Sequence, residues 1–324
     1  MPTGTPAVVH VADQPGTDDD AKVANAIAWI KSNVHWSHHS ATMVFESGRW
    51  TFDNPIVIDW PVSVTSRGVG ANSCQLIWTS AIAGQTCFKH EFSSRNEVSN
   101  LSLQLASDGI NNVTMLMVSD CGRNTYRNLA ILPGTKSGKN NVGIFHERGV
   151  GSSGRGESNW FSELNIVAPR PIVINSGNSL TFTNADIGVY NSSSIATDGD
   201  QVNAAFTFLN PAWQVKFRDM SVQKGKHLLY CKYQGPNCGN QLTLDDIRYE
   251  QQTDHREPAI YYHTTRANGL FGQEMLTLIN PRFSHLPISA PVTNVGGVAR
   301  YSIVGGWWYG ADTHVGQRPK TMWG

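Results

Sequence analysis

Hydrophobic residues along the chain follow two periods. Between Asp18 and Val34 the apolar positions Val23, Ile27, Ile30 and Val34 fall at i, i+4, i+7 and i+11, one face of an α-helix, and Thr17, Asp18 or Asp19 can cap its start. Elsewhere the apolar runs are short and alternate. A hexapeptide with an apolar first residue, a turn-tolerant third residue and an apolar last residue recurs from Val98, Tyr126, Phe161, Phe182, Phe217, Leu244, Leu278 and Ile303. Intervals of roughly 20 to 50 residues between copies are the mark of stacked repeats.

The third positions read Asn100, Asn128, Glu163, Asn184, Asp219, Asp246, Asn280 and Gly305. All but Glu163 are the types that best tolerate a left-handed backbone, so the pattern predicts a sharp bend between two short strands. A further strand precedes most copies: MLMVSD from Met115, GIFHER from Gly143, PIVINS from Pro171, AFTFLN from Ala205, LLYCKY from Leu228 and AIYYHT from Ala259. Three short strands per repeat, none able to bury a face alone, predict an all-β, right-handed, single-stranded parallel β-helix, a solenoid with an N-terminal capping α-helix. Successive coils about 4.8 Å apart would stack like residues inside, Phe161, Phe182 and Phe217 among them. The predicted organisation is residues 1–42 for the N-terminal segment and helix, 43–310 for the β-helix and 311–324 for a C-terminal tail.

Charge changes this picture little. The chain carries 25 basic and 25 acidic side chains for a net charge of zero, so no basic stripe points to nucleic acid, and no segment is long and apolar enough to predict membrane insertion. Its 5 cysteines, Cys74, Cys87, Cys121, Cys231 and Cys238, are too scattered for a disulfide framework, although Cys231 and Cys238 could close a small loop. The opening MPTGTPAVVHVADQPG lacks the basic and apolar regions of a secretory signal, so export by that route is not expected.

The run DQPGTDDDAKVANAIAWI, followed by MVFESGRWTFDNPIVI and VSVTSRGVG, resembles the opening of the pectate-lyase-like β-helix superfamily, bacteriophage tailspikes above all. Gly48, Trp50, Pro55, Arg67, Gly68 and Gly70 occupy the matching places, and the bend asparagines resemble that superfamily's asparagine ladder. The resemblance implies a carbohydrate groove along an outer strand and its loops.

With alternate residues of that strand turned outward, the expected outer column holds Asp120, Phe145, Glu147, Asn175, Thr207, Tyr230, Lys232, Tyr261 and His263. Glycoside hydrolysis uses two carboxylates about 5 to 10 Å apart, a separation that neighbouring coils provide. The candidate catalytic acids are Glu147 with Asp120 or Glu157, and Asp198 with Asp200. Candidate sugar contacts are Trp160, Trp213, Tyr230, Lys232, Tyr261 and His263, because aromatic faces stack on sugar rings. ATDGDQ from Ala196 resembles the NTDGxD motif of polygalacturonases, with Ala196 in place of the asparagine and without that family's other segments. No acid cluster suited to calcium, no metal site and no cofactor is expected. The three histidines of HWSHHS read as a polar connector, and GVGSSGRG as a groove wall.

Three functions follow as expectations. The first is a phage tailspike or tail-fibre receptor-binding protein, resident in the virion tail after assembly in the host cytoplasm. It would be a homotrimer beside other tail proteins, binding a bacterial surface polysaccharide, with its cleavage left open between hydrolase and lyase. The second is a structural or adhesive virion β-helix without catalysis, and the third a free pectate lyase or polygalacturonase-like enzyme.

Overall fold

A computed structural model describes residues 7–36, 41–68, 70–107, 109–133, 140–148, 157–190, 203–210, 212–234, 241–251, 259–265, 275–286, 292–295, 300–310 and 313–317. The chain winds as a right-handed parallel β-helix. A 16-stranded sheet, here sheet A, forms one side, and a nine-stranded sheet, sheet B, forms another. The pairing is parallel throughout except at the final strand.

All eight hexapeptides fall in register. Val98, Tyr126, Phe161, Phe182, Phe217, Leu244, Leu278 and Ile303 are successive Cα partners in sheet A. Their side chains make the expected interior ladder. Tyr126, Phe161, Phe182 and Phe217 stack with ring centroids 4.7, 4.4 and 5.1 Å apart, and all four are buried. Stacking at the coil pitch lets each ring cover the next, so one coil supplies the apolar surface that its neighbour lacks.

The bend residues have φ between 46° and 69° in every copy. Asparagine and aspartate enter this region at low cost, whereas Glu163 at φ 54° does so less readily. At Gly305 a Cβ would meet only the movable Asn280 Oδ1, at 2.5 Å, whereas at Gly306, with φ 80°, it would meet the Pro281 backbone oxygen and nitrogen at 2.4 and 2.6 Å. A second left-handed column stands at another corner, formed by Arg95, Arg123, Ser158, Ser179 and Gln214 with φ of 54° to 60°.

Beside this second corner lies a buried ladder that the sequence reading placed at the bend. Asn96 N–H donates to Asn124 Oδ1 at 2.9 Å, and Asn124 N–H donates to Asn159 Oδ1 at 3.0 Å. The amide nitrogens of Asn124 and Asn159 donate in turn to the Ser93 and Cys121 carbonyls. Corner backbone groups that turn inward thus find partners without water. The bend column does carry a side-chain link of its own, Asn128 Nδ2 to Asn100 Oδ1 at 2.7 Å.

The predicted helix spans Asp19–Asn33 and buries Val23, Ala26 and Ile30. Each aspartate of its start has a separate task. Asp18 accepts from Ala21 N–H at 2.7 Å as the N-cap; Asp19 accepts from Thr51 N–H at 2.7 Å; Asp20 accepts from Asp53 and Asn54 N–H at 2.9 and 3.1 Å. The first caps the helix and the others pin it across the early coils. A cleft of about 600 Å³ remains between the helix and the segment Phe52–Val57. Sheet A also takes in Ala7–His10 from the N-terminal segment, and the antiparallel strand Thr313–Gln317 from the tail pairs with Trp307–Gly310. Among the described residues no helix is long and apolar enough to cross a membrane.

Candidate functional site

Alternation on sheet B has the expected phase for Phe145, Glu147, Thr207, Tyr230 and Tyr261, but Ser119 and not Asp120 is the register partner of Glu147. His90, Val118, His146, Ile174 and Phe208 are register partners and all are buried. The residues on either side point away from that interior, with Val173, Thr207 and Tyr230 nonetheless buried. One outer column runs Lys89, Met117, Phe145, Val173, Thr207, Tyr230 and Tyr261. The other begins Glu91, Ser119 and Glu147, consecutive partners in the strands Thr86–Glu91, Thr114–Ser119 and Val142–Glu147.

Glu91 and Glu147 therefore stand in one column with Ser119 between them. Two rungs separate their backbones by about 9.6 Å, which flexible side chains can bring within the range of two carboxylates that admit a water between them, about 6.5 to 9.5 Å. Ser119 Oγ donates to Glu147 Oε1 at 3.2 Å, and the Lys89 ammonium pairs with Glu91 Oε2 at 2.5 Å. Half-exposed Met117 and Phe145 form the floor beside them. The wall at one edge is Phe92, which is exposed and has φ 52°.

The other candidate acids are placed differently. Asp120 lies next to Glu147, with its backbone N–H donating to the Glu147 carbonyl at 3.3 Å, but it is only 5% exposed. Glu157 sits at the next corner, bridged to Asn178 and accepting from Arg123 N–H through its backbone oxygen at 2.8 Å. Asp198 and Asp200 lie outside the described residues, as do most of the long loops that the sequence reading gave as groove relief. GVGSSGRG lies outside them too, and so does Cys238; Cys231 is buried.

Of the candidate sugar contacts, Trp160 and Trp213 are 52% and 42% exposed, on surface rather than in core. Tyr230 faces outward yet is 4% exposed, stacked on Tyr261 at 5.2 Å with His227 beside both. Covered in this way, Tyr230 is a packing residue of the outer face, and Thr207 on the preceding rung is buried as well. Lys232 and His263 are register partners one coil apart. Among the described residues no group of three His, Cys, Asp or Glu side chains could hold a metal ion.

The floor of the groove rests on buried polar groups. His146 Nδ1 lies 2.8 Å from the Ser176 carbonyl, and Asn159 Nδ2 lies 3.0 Å from His146 Nε2. The neutral ring with its proton on Nδ1 satisfies both contacts. His90 Nδ1 lies 2.9 Å from Tyr126 Oη. Burial depresses both imidazoles to about 4 and pushes the Cys121 thiol up to about 12. None of these groups reaches the surface, so their work is structural.

Neither a family model nor a curated protein matches the sequence. Solved structures do. The Acinetobacter phage vb_AbaP_AS12 gp42 tailspike aligns over 96% of this chain and 64% of its own at TM-score 0.53 and 9% identity. A 1,3-α-1,4-β-D-galactose-4-sulfate-3,6-anhydro-D-galactose-2-sulfate 4 galactohydrolase aligns over 87% of this chain and 73% of its own at TM-score 0.53 and 11% identity. Pectate lyase Pel9A aligns over 90% and 78% at TM-score 0.51 and 13% identity. The chain spans less than two thirds of two viral proteins that it matches, 64% of the tailspike and 63% of ORF18 of Geobacillus virus E2. Its fold is that of the pectate-lyase-like parallel β-helix proteins, tailspikes included.

Proposed function

We propose that this protein is a phage tailspike or tail-fibre receptor-binding protein that binds a bacterial surface polysaccharide along sheet B and hydrolyses it between Glu91 and Glu147. The observation that carries the reading is the outward column Glu91, Ser119, Glu147 on a rigid sheet, with an apolar floor. One carboxyl group gives its proton to the departing glycosidic oxygen as the C–O bond breaks. The other takes a proton from the water that bonds to the anomeric carbon from the opposite face, so the product has inverted configuration. Fold likeness to a tailspike over 96% of the chain supports a place in a virion tail. In that setting the protein would assemble as a homotrimer beside other tail proteins.

The test is a screen against purified capsular and O-antigen polysaccharides. At least one should be bound and shortened, with loss of cleavage but not of binding in Glu91→Gln and in Glu147→Gln. Proton NMR of the first-formed reducing ends should report inversion. Undiminished cleavage by both variants, or retention of configuration, would remove the pair from the mechanism.

A further inference from the structure

The corner after the carboxylate column carries side chains that the fold does not use. Arg95 and Arg123 stand on adjacent coils, with Arg95 N–H donating to the Gly122 carbonyl at 3.2 Å and Arg123 N–H to the Glu157 carbonyl at 2.8 Å. Both have φ 60°. A left-handed backbone is disfavoured for a residue with a Cβ, less so for asparagine, and the bend column of the same rod mostly meets the demand with asparagine and aspartate. Here two arginines stand instead. Both are exposed, and among the described residues neither guanidinium has an ion-pair or hydrogen-bond partner, although Glu157 lies on the next rung. Arg67, Arg127, Arg218 and Arg282 pair with carboxylates, while among the described residues exposed Arg49 and Arg248, elsewhere on the rod, have no such partner either.

The same corner holds Trp160, one coil beyond Arg123, and then Trp213 two coils further, where Ser179 N–H donates to the Trp213 carbonyl at 2.8 Å. Exposed Lys216 follows three residues later. From Arg95 to Trp213 the ribbon climbs four rungs, about 19 Å along the axis. It combines flat apolar rings with cations that nothing neutralises. Every position of this corner, Arg95, Arg123, Ser158, Ser179 and Gln214, departs from the low-strain residue, and the two arginines are the charged ones among them.

We infer that this corner is a binding track for an acidic polysaccharide, the tryptophans stacking on sugar rings and Arg95 and Arg123 holding the chain's carboxylate, sulfate or phosphate groups. The inference rests on the glycan-binding reading above and narrows its substrate to anionic chains. It does not require cleavage.

The test is affinity electrophoresis of the full chain carrying Glu91→Gln and Glu147→Gln, in gels containing alginate, dextran sulfate, polyphosphate or plain dextran. Alginate, dextran sulfate and polyphosphate separate carboxylate from sulfate and from phosphate recognition, and dextran is the uncharged control. The diagnostic variant is Arg95→Asn with Arg123→Asn. Asparagine suits the left-handed corner, so the melting temperature should hold or rise, while affinity for the retarding anionic polymer should fall roughly tenfold. Equal retardation in dextran, or retardation indifferent to the two asparagines, would leave glycan binding standing and overturn the acidic track. A lower melting temperature in the double variant would mark the arginines as structural and overturn it too. Retardation in none of the gels would overturn the acidic track, while the capsular and O-antigen screen decides the reading on which it rests.

Discussion

Asn159 reaches into the rod and donates its side-chain N–H to His146 Nε2 at 3.0 Å. The contact holds only for a neutral imidazole. Protonation would set an N–H against an N–H between two buried side chains.

Acid sensitivity follows. His90 and His146 have folded pKa values lowered to about 4 by burial, against 6.5 for the ordinary side chain. As pH falls below about 6.5 the unfolded chain takes up these protons first, so stability is full above that value and is lost progressively down to about 4. Each histidine contributes a slope of up to about 1.4 kcal/mol per pH unit. The urea midpoint should therefore drop between pH 6.5 and 5, before most carboxylates titrate, and His90→Gln with His146→Gln should flatten that limb. A midpoint constant from pH 7 to 5 would contradict the assignment.

Removing Asn159 should be costly. It is the acceptor for Asn124 N–H and the donor to the Cys121 carbonyl and to His146. Asn159→Ala leaves three buried groups without partners, a loss of about 3 kcal/mol or more, measured as a shift in chemical-denaturation midpoint with an unchanged m-value.

Two aromatic substitutions should separate core from surface. Phe182 is buried between Phe161 and Phe217, so Phe182→Ala should cost about 3 to 5 kcal/mol. Trp160→Ala, at an exposed position, should stay within about 0.5 kcal/mol while weakening glycan binding. Similar destabilisation by both would show that Trp160 packs rather than binds.

One substitution should stabilise. Glu163 occupies the left-handed bend on the rung after Asn128. Glu163→Asn relieves backbone strain and extends the asparagine row, for a gain of up to about 1 kcal/mol, visible as a rise in melting temperature. A fall would mean that the glutamate makes a compensating interaction.

Much of this architecture is written in the hydrophobic pattern. The eight hexapeptides are legible because each coil repeats its apolar first and last residues and its turn residue, and stacking then forces the register. The buried ladder is harder to see, because polar residues facing inward run against the inside-apolar pattern. Its signal is an asparagine two residues before three successive hexapeptides, at Asn96, Asn124 and Asn159. Glu91 was missed for a related reason. TCFKHE, one coil before TMLMVS, alternates Phe88 and His90 inward with Lys89 and Glu91 outward, and a histidine in a core position hides the strand. The exposure of Trp160 and Trp213, and the cover over Tyr230, depend on packing that composition does not encode.

The corner contacts also say how such a rod can change. Residues 28 apart join Asn96 to Asn124, yet residues 35 apart join Asn124 to Asn159 by the same bond. The same bond forms across different lengths of intervening chain, because among the described residues the contacts that align these rungs lie in the strands and corners. In a rod aligned this way, connector length can change while the scaffold is inherited intact, and ligand preference is free to diverge without a new folding problem being solved each time.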